Sequence, residues 1–230
     1  MSLKLQTVER ETGPAPTTSV IWLHGLGADG YDFDPIVPAL RIPGGPETRY
    51  VFPHAPIRPV TINGGMEMRA WYDIIAIERG GQEDAGGIRE SAAAVSALIE
   101  REAQRGIPPE RVVLAGFSQG GAIALHAGLR YPQQLAGIIG LSTYLPLQTA
   151  TGEFHDANRH TPLFMAHGTL DPVVPSFLGE ESAALLTQAG YTVEYKSYVM
   201  PHSVCPEEVG DIRNWLRDRF AASRPSPPET

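Results

Sequence analysis

Residues 112–131 read VVLAGFSQGGAIALHAGLRY. Val112–Ala115 is a short, β-branched apolar run, the composition of a strand buried on both faces. Gly121–Tyr131 carries a helical pattern that Pro132 stops. Between them, Gly116-Phe117-Ser118-Gln119-Gly120 matches G-x-S-x-G, a sharp strand-to-helix elbow that lifts a serine hydroxyl above the edge of a sheet. Five residues alone are weak. In a chain with 24 Gly, chance supplies this spacing about once in eight such sequences. The strand before it and the helix after it give it weight, because the elbow needs both. Glycines at 116 and 120 remove side chains that would collide with the neighbouring strand and helix. The alternative is a glycine-rich turn with an incidental serine.

A serine hydroxyl needs a base, and an imidazole needs a carboxylate to fix its tautomer. On a strand-elbow-helix scaffold these follow in the order Ser, acid, His. Of the seven histidines, only His202 lies beyond every good acid candidate, on a loop between the last strand and the final helix. Asp171 follows the apolar run LFMA and the turn His167-Gly168-Thr169-Leu170, at a strand's carboxyl end. Its rivals Glu153, Asp156, Glu180, Glu181 and Glu194 fall in a polar loop, on a helix or within a strand. Taken alone, Asp171 before Pro172 also reads as a turn residue. His167 is read as structural, hydrogen-bonded to the loop that carries Asp171. His126, His155 and His160 are read as solvated or capping residues. Cys205 is read as a small buried filler.

The rest of the chain alternates in the same manner. Ser19–Leu23, Tyr50–Phe52, Gly137–Leu141 and Leu163–Ala166 are further buried-strand candidates, and the alternating residues 192–199 suit a strand nearer a sheet edge. Helical spacing covers Ile88–Gln104, a segment capped by Ser176 and running to Ala189, and a last helix opening at Pro206-Glu207-Glu208. Asp34-Pro35 reads as a helix start. Strand-helix alternation over about 200 residues predicts an α/β fold with a mostly parallel central sheet flanked by helices. A single domain over residues 1–222 is expected, with a disordered tail at 223–230. From Ile57 to Gly87 no clean period emerges, and loops of that length are usually functional or mobile.

Composition narrows the function. A net charge of −8 argues against nucleic acid or anionic membrane as the main partner. One cysteine excludes an internal disulfide framework, and no HExxH-like cluster supports a metal. No stretch of 18 apolar residues occurs and the start lacks an apolar leader, so a cytoplasmic address without integral membrane contact is expected.

One motif points elsewhere. Gly25-Leu26-Gly27-Ala28-Asp29-Gly30 after SVIWL fits the dinucleotide fingerprint. That fingerprint should open a helix and be followed about 20 residues on by a ribose-binding acid. Here the helix signal comes later, and the next strand ends Phe52-Pro53-His54-Ala55. The same loop suits an oxyanion hole, whose donors are the N–H after the nucleophile, here Gln119, and one from the loop after an early strand.

HGLGADG (24–30), FPHAP (52–56), WYDI (71–74), AGFSQGG (115–121), LSTYLP (141–146), HGTLDPVVP (167–175) and PHSV (201–204) together resemble the phospholipase/carboxylesterase family from about Ser19 to Phe220. The resemblance implies a single-domain α/β-hydrolase fold without a large cap domain. It implies Ser118, Asp171 and His202 as the triad, and the N–H groups of Leu26 and Gln119 as the oxyanion hole. It implies carboxylic ester or thioester hydrolysis on short to medium acyl chains, with no cofactor and no metal. A dedicated lysophospholipase or acyl-protein thioesterase is the runner-up, and a non-catalytic binding protein on the same scaffold a further alternative. Met66, Met68 and Trp71, with Leu145 and Tyr144 bordering, are candidates to line an acyl groove; the alternative is that they pack under the loop. An exposed groove of this kind would also suit a homodimer. Met68-Arg69-Ala70-Trp71 departs from the family, which often has a small residue or proline between the Met and the Trp, so Arg69 either alters substrate preference or faces solvent.

Overall fold

The computed structural model describes residues 3–75 and 82–222. Ile77 of the middle segment and the tail from Ser223 on, where disorder was expected, lie outside the described residues. Seven strands form one sheet: β1 (Thr7–Glu11), β2 (Thr18–Leu23), β3 (Thr48–Pro53), β6 (Val112–Phe117), β7 (Gly137–Leu141), β8 (Leu163–Gly168) and β9 (Val193–Tyr198). Their order is β1-β3-β2-β6-β7-β8-β9. Only β1 runs antiparallel to its neighbour. A separate antiparallel hairpin, β4 (Ile57–Val60) with β5 (Met66–Arg69), projects from the middle segment.

Alternation along the strands loads both faces. Ile21, Leu23, Val112 and Leu114 point to one side, where α2 (Ala85–Gln104), α3 (Gln119–Arg130) and α4 (Ser176–Gln188) pack. Val20, Trp22, Val113 and Ala115 point to the other, against α1 (Val37–Leu40) and α5 (Pro206–Ala222). Covered on both faces, the central strands carry apolar residues on both sides over most of their length, as parallel sheets do. This is the predicted α/β architecture, and β9 lies at an edge as its alternation implied.

Several elements differ in detail. The α2 helix begins at Ala85 because Asp84 caps it, its carboxylate accepting Gly87 N–H at 2.9 Å. Ser176 is the first helical residue of α4 and not its cap, a place that Pro175 takes without a side-chain bond. Asp34-Pro35 opens a 3-10 turn (Asp34–Ile36) that leads into α1. The α3 helix ends at Arg130, with Tyr131 extended at φ −66°, ψ 135°, the conformation a following proline imposes. His126, expected at the surface, is buried. The reason is positional: α3 runs between the sheet and α2, so all of its residues from Gln119 to Leu129 are covered.

Candidate active site

The elbow sits at the carboxyl end of β6, near the centre of the sheet. Ser118 has φ 54°, ψ −121°, a left-handed backbone that costs a non-glycine residue on the order of 1–3 kcal/mol. Its surroundings hold it there. Ser118 N–H donates to Leu141 O at 2.8 Å, and Thr143 Oγ1–H donates to Ser118 O at 2.7 Å. A β-carbon on Gly116 would collide with the backbone of Gly120, and one on Gly120 with the carbonyls of Leu23 and His24. The two glycines let β6, α3 and the end of β2 touch backbone to backbone.

Asp171 lies beyond β8 with its side chain fully buried. Its Oδ1 accepts the N–H groups of Val173 and Val174 at 2.8 and 2.9 Å. This local turn leaves Oδ2 for His202, whose Nδ1–H donates to it at 2.6 Å. The imidazole of His202 packs on Phe117, the residue before Ser118, with ring centroids 4.7 Å apart. Asp171 and His202 are thus directly bonded, and His202 stands beside the elbow. His167 behaves as expected: its Nε2–H donates to Val174 O at 2.9 Å and lies 3.4 Å from Asp171 Oδ2. Burial holds its pKa below the usual histidine value.

The early loop meets the elbow from the β2 side. A β-carbon on Gly25 would stand 3.5 Å from Ser118 Cβ, which puts the loop against the nucleophile position. Leu26 follows, half-buried, and Gly27 takes φ 76° with its N–H on Arg69 O at 2.8 Å. Gln119 opens α3, so its own N–H is one of those the helix leaves without an internal acceptor. His24 locks the root of the loop. Its Nε2 accepts Ala55 N–H at 3.0 Å and its Nδ1–H donates to Gly25 O at 2.7 Å, which fixes the neutral tautomer. Burial takes its pKa down to about 4.

The proposed groove residues divide. Met66 is 64% exposed on the hairpin, and Met68 is half-buried, its Sδ 3.9 Å from where a Gly27 β-carbon would be. Trp71 and Leu145 are 0% and 1% exposed, so they pack in the core and not on an open surface. Tyr144 OH and Tyr72 OH are 3.1 Å apart. Arg69 does not simply face solvent, since its Nη1–H donates to Ala55 O at 2.8 Å. Cys205 is half-buried against the α5 side of the core. Sequence reasoning missed the side-chain roles of His24, Gln119 and Trp71. Their partners are main-chain atoms, which leave no mark in the sequence.

A mostly parallel sheet with a serine elbow after a central strand, and an acid and a histidine after two later ones, defines an α/β-hydrolase. Residues 4–219 match the Phospholipase/Carboxylesterase family, and the chain belongs to it. Acyl-protein thioesterase 1 of Neurospora crassa is 43% identical over 214 residues, 89% of this chain and 87% of the relative. Acyl-protein thioesterase 1 of Cryptococcus neoformans is 36% identical over 236 residues, 95% and 99% of the two chains. Among solved structures, SOBER1 of Arabidopsis thaliana superposes with a TM-score of 0.84 at 34% identity, covering 88% of this chain and 98% of its own. Acyl-protein thioesterase 2 of Zea mays gives 0.83 at 28% identity, covering 94% and 99%. The chain is a serine hydrolase of the esterase and thioesterase type. Among the described residues, no helix is long and apolar enough to cross a membrane.

Proposed function

We propose that the protein hydrolyses carboxylic esters or thioesters of short to medium acyl chains through Ser118, His202 and Asp171. The observation that carries this assignment is the 2.6 Å bond from His202 Nδ1–H to Asp171, made by an imidazole packed on Phe117 beside the Ser118 elbow. With Nδ1 committed to the carboxylate, Nε2 is left as the basic nitrogen. It takes the Ser118 proton as Oγ bonds to the substrate's carbonyl carbon. The oxyanion that forms is held by the N–H groups of Leu26 and Gln119. Nε2 then returns the proton to the leaving alcohol or thiol as the bond to it breaks. Water repeats the cycle on the acyl-enzyme, giving the acid and free Ser118. Every step is acid-base and nucleophilic chemistry of these side chains.

Met66 and Met68 are assigned to the acyl-facing wall of the groove, with Trp71 and Leu145 beneath it. The names of the relatives favour thioesters of acylated proteins as one substrate class. A homodimer meeting at the exposed hairpin is part of the same proposal, and light scattering at two concentrations checks it.

The test is hydrolysis of p-nitrophenyl esters from acetyl to palmitoyl by the wild type and Ser118→Ala. Turnover that peaks at one chain length and is lost in the variant is the expected result. Equal turnover by both proteins would remove Ser118 from the mechanism. No turnover by either would restrict the protein to thioesters or to binding, which an acyl-thioester series then separates.

A further inference from the structure

The two oxyanion donors come from different places in the chain, Leu26 after β2 and Gln119 after β6. One short segment is bonded to residues flanking Leu26 and to the side chain of Gln119. Arg69 O accepts Gly27 N–H at 2.8 Å, and Trp71 Nε1–H donates to His24 O at 2.8 Å. On the other side, Trp71 N–H donates to Gln119 Oε1 and Gln119 Nε2–H donates to Tyr72 O, both at 2.8 Å. The segment is held from behind, where Ser91 Oγ–H donates to Trp71 O. Gln119 and Trp71 are both buried, so water does not replace the bonds of their side chains without opening the core.

We propose that Trp71 and the side-chain amide of Gln119 are positioning residues that set the spacing between the Leu26 and Gln119 N–H groups. The proposal rests on the oxyanion assignment made above. The physical reason is that the backbone contact of Gly120 with Leu23 and His24 joins the roots of the two loops but does not reach the turn at Leu26, which this segment holds through Gly27. The indole N–H of Trp71 ties down the strand end that leads into Leu26. Its main-chain N–H ties down the residue that carries the second donor. Both donors therefore take their separation from one rigid unit. The charge they meet is present only in the transition state, so a donor displaced by a fraction of an ångström lowers the rate of chemistry without weakening substrate binding.

The experiment compares the wild type with Trp71→Phe, which removes the indole N–H but keeps a ring, and Gln119→Met, which removes both amide bonds while leaving its own backbone N–H. Active sites are first counted by the burst of p-nitrophenol, so misfolded protein does not enter the rate. The expected result is a kcat per active site about tenfold to a hundredfold lower on p-nitrophenyl acetate in both variants. KM should stay within about twofold, and a boronic acid that forms a tetrahedral adduct should bind more weakly by a factor matching the loss in kcat/KM. A kcat per active site within twofold of wild type in both variants, with only the melting temperature lowered, would overturn the proposal and leave the segment a packing element. Ser118→Ala separates the two levels. If that variant keeps its activity, the oxyanion assignment and this proposal fall together; if it is inactive, only the positioning role is at stake.

Discussion

At the residue scale, the proposed triad could be read from the sequence because chemistry restricts it. A nucleophilic serine needs its elbow, the order Ser-acid-His excluded six histidines, and Asp171 lay at a strand's carboxyl end. His24 was visible only as part of a loop, and Gln119 only as a backbone donor. Nothing in a sequence announces that an imidazole will accept Ala55 N–H or that an amide will grip Trp71. His126 was misjudged because a helix covered on all sides looks, residue by residue, like one with a wet face. Replacing Asp171 by Asn tests the finest level. The Asn amide would donate to Nδ1 and so place the imidazole proton on Nε2, where it cannot accept from Ser118. kcat should fall by about 10⁴-fold with an unchanged circular dichroism spectrum, and a loss below tenfold would show that the 2.6 Å bond is not what sets the tautomer.

Among the elements, the central strands were readable because burial on both faces leaves runs of apolar residues with no polar alternation. Edges were harder. β1 mixes Val8, in the core, with Glu9 and Arg10, which pair with Arg101 and Asp34; its sequence resembles a polar loop. The hairpin of β4 and β5 has exposed Ile57 and Met66, a mixture that fits neither period. Elements also set where substitution is tolerated. Gly120→Ala forces a methyl into the carbonyls of Leu23 and His24, whereas Gly152→Ala meets nothing within 4 Å. In thermal melts the first should lose at least about 1–3 kcal/mol and the second almost nothing. Equal melting temperatures would mean that β2 and α3 can move apart, and that the elbow is not pinned by their contact.

The whole molecule answers to pH through buried groups outside the proposed triad. Burial lowers His24 and His126 to about 4, so both stay neutral in the folded state. As pH falls from 6.5 towards 4, the unfolded chain binds protons that the folded chain refuses, and stability drops. Glu208 works in the opposite sense, its carboxyl pushed up to about 8 by burial. Its contribution is complete below pH 4.5 and is lost as pH rises through about 8. A melting temperature that crests at about pH 6.5 is expected, and Glu208→Gln should flatten the alkaline side and steepen the acid side. A variant whose alkaline decline matches wild type would assign that decline to other groups. The register of the sheet also reaches beyond the finished protein. Leu23 stands opposite Gly116, and His167 opposite Ser197, so each half of the site is closed by chain that a ribosome delivers much later. While the chain is being made, β1, β3 and β2 wait with the β2 edge not yet paired to β6, and the elbow emerges before the proposed base His202. On the proposed mechanism, the nascent chain therefore carries its serine unarmed until β9 and His202 have left the exit tunnel.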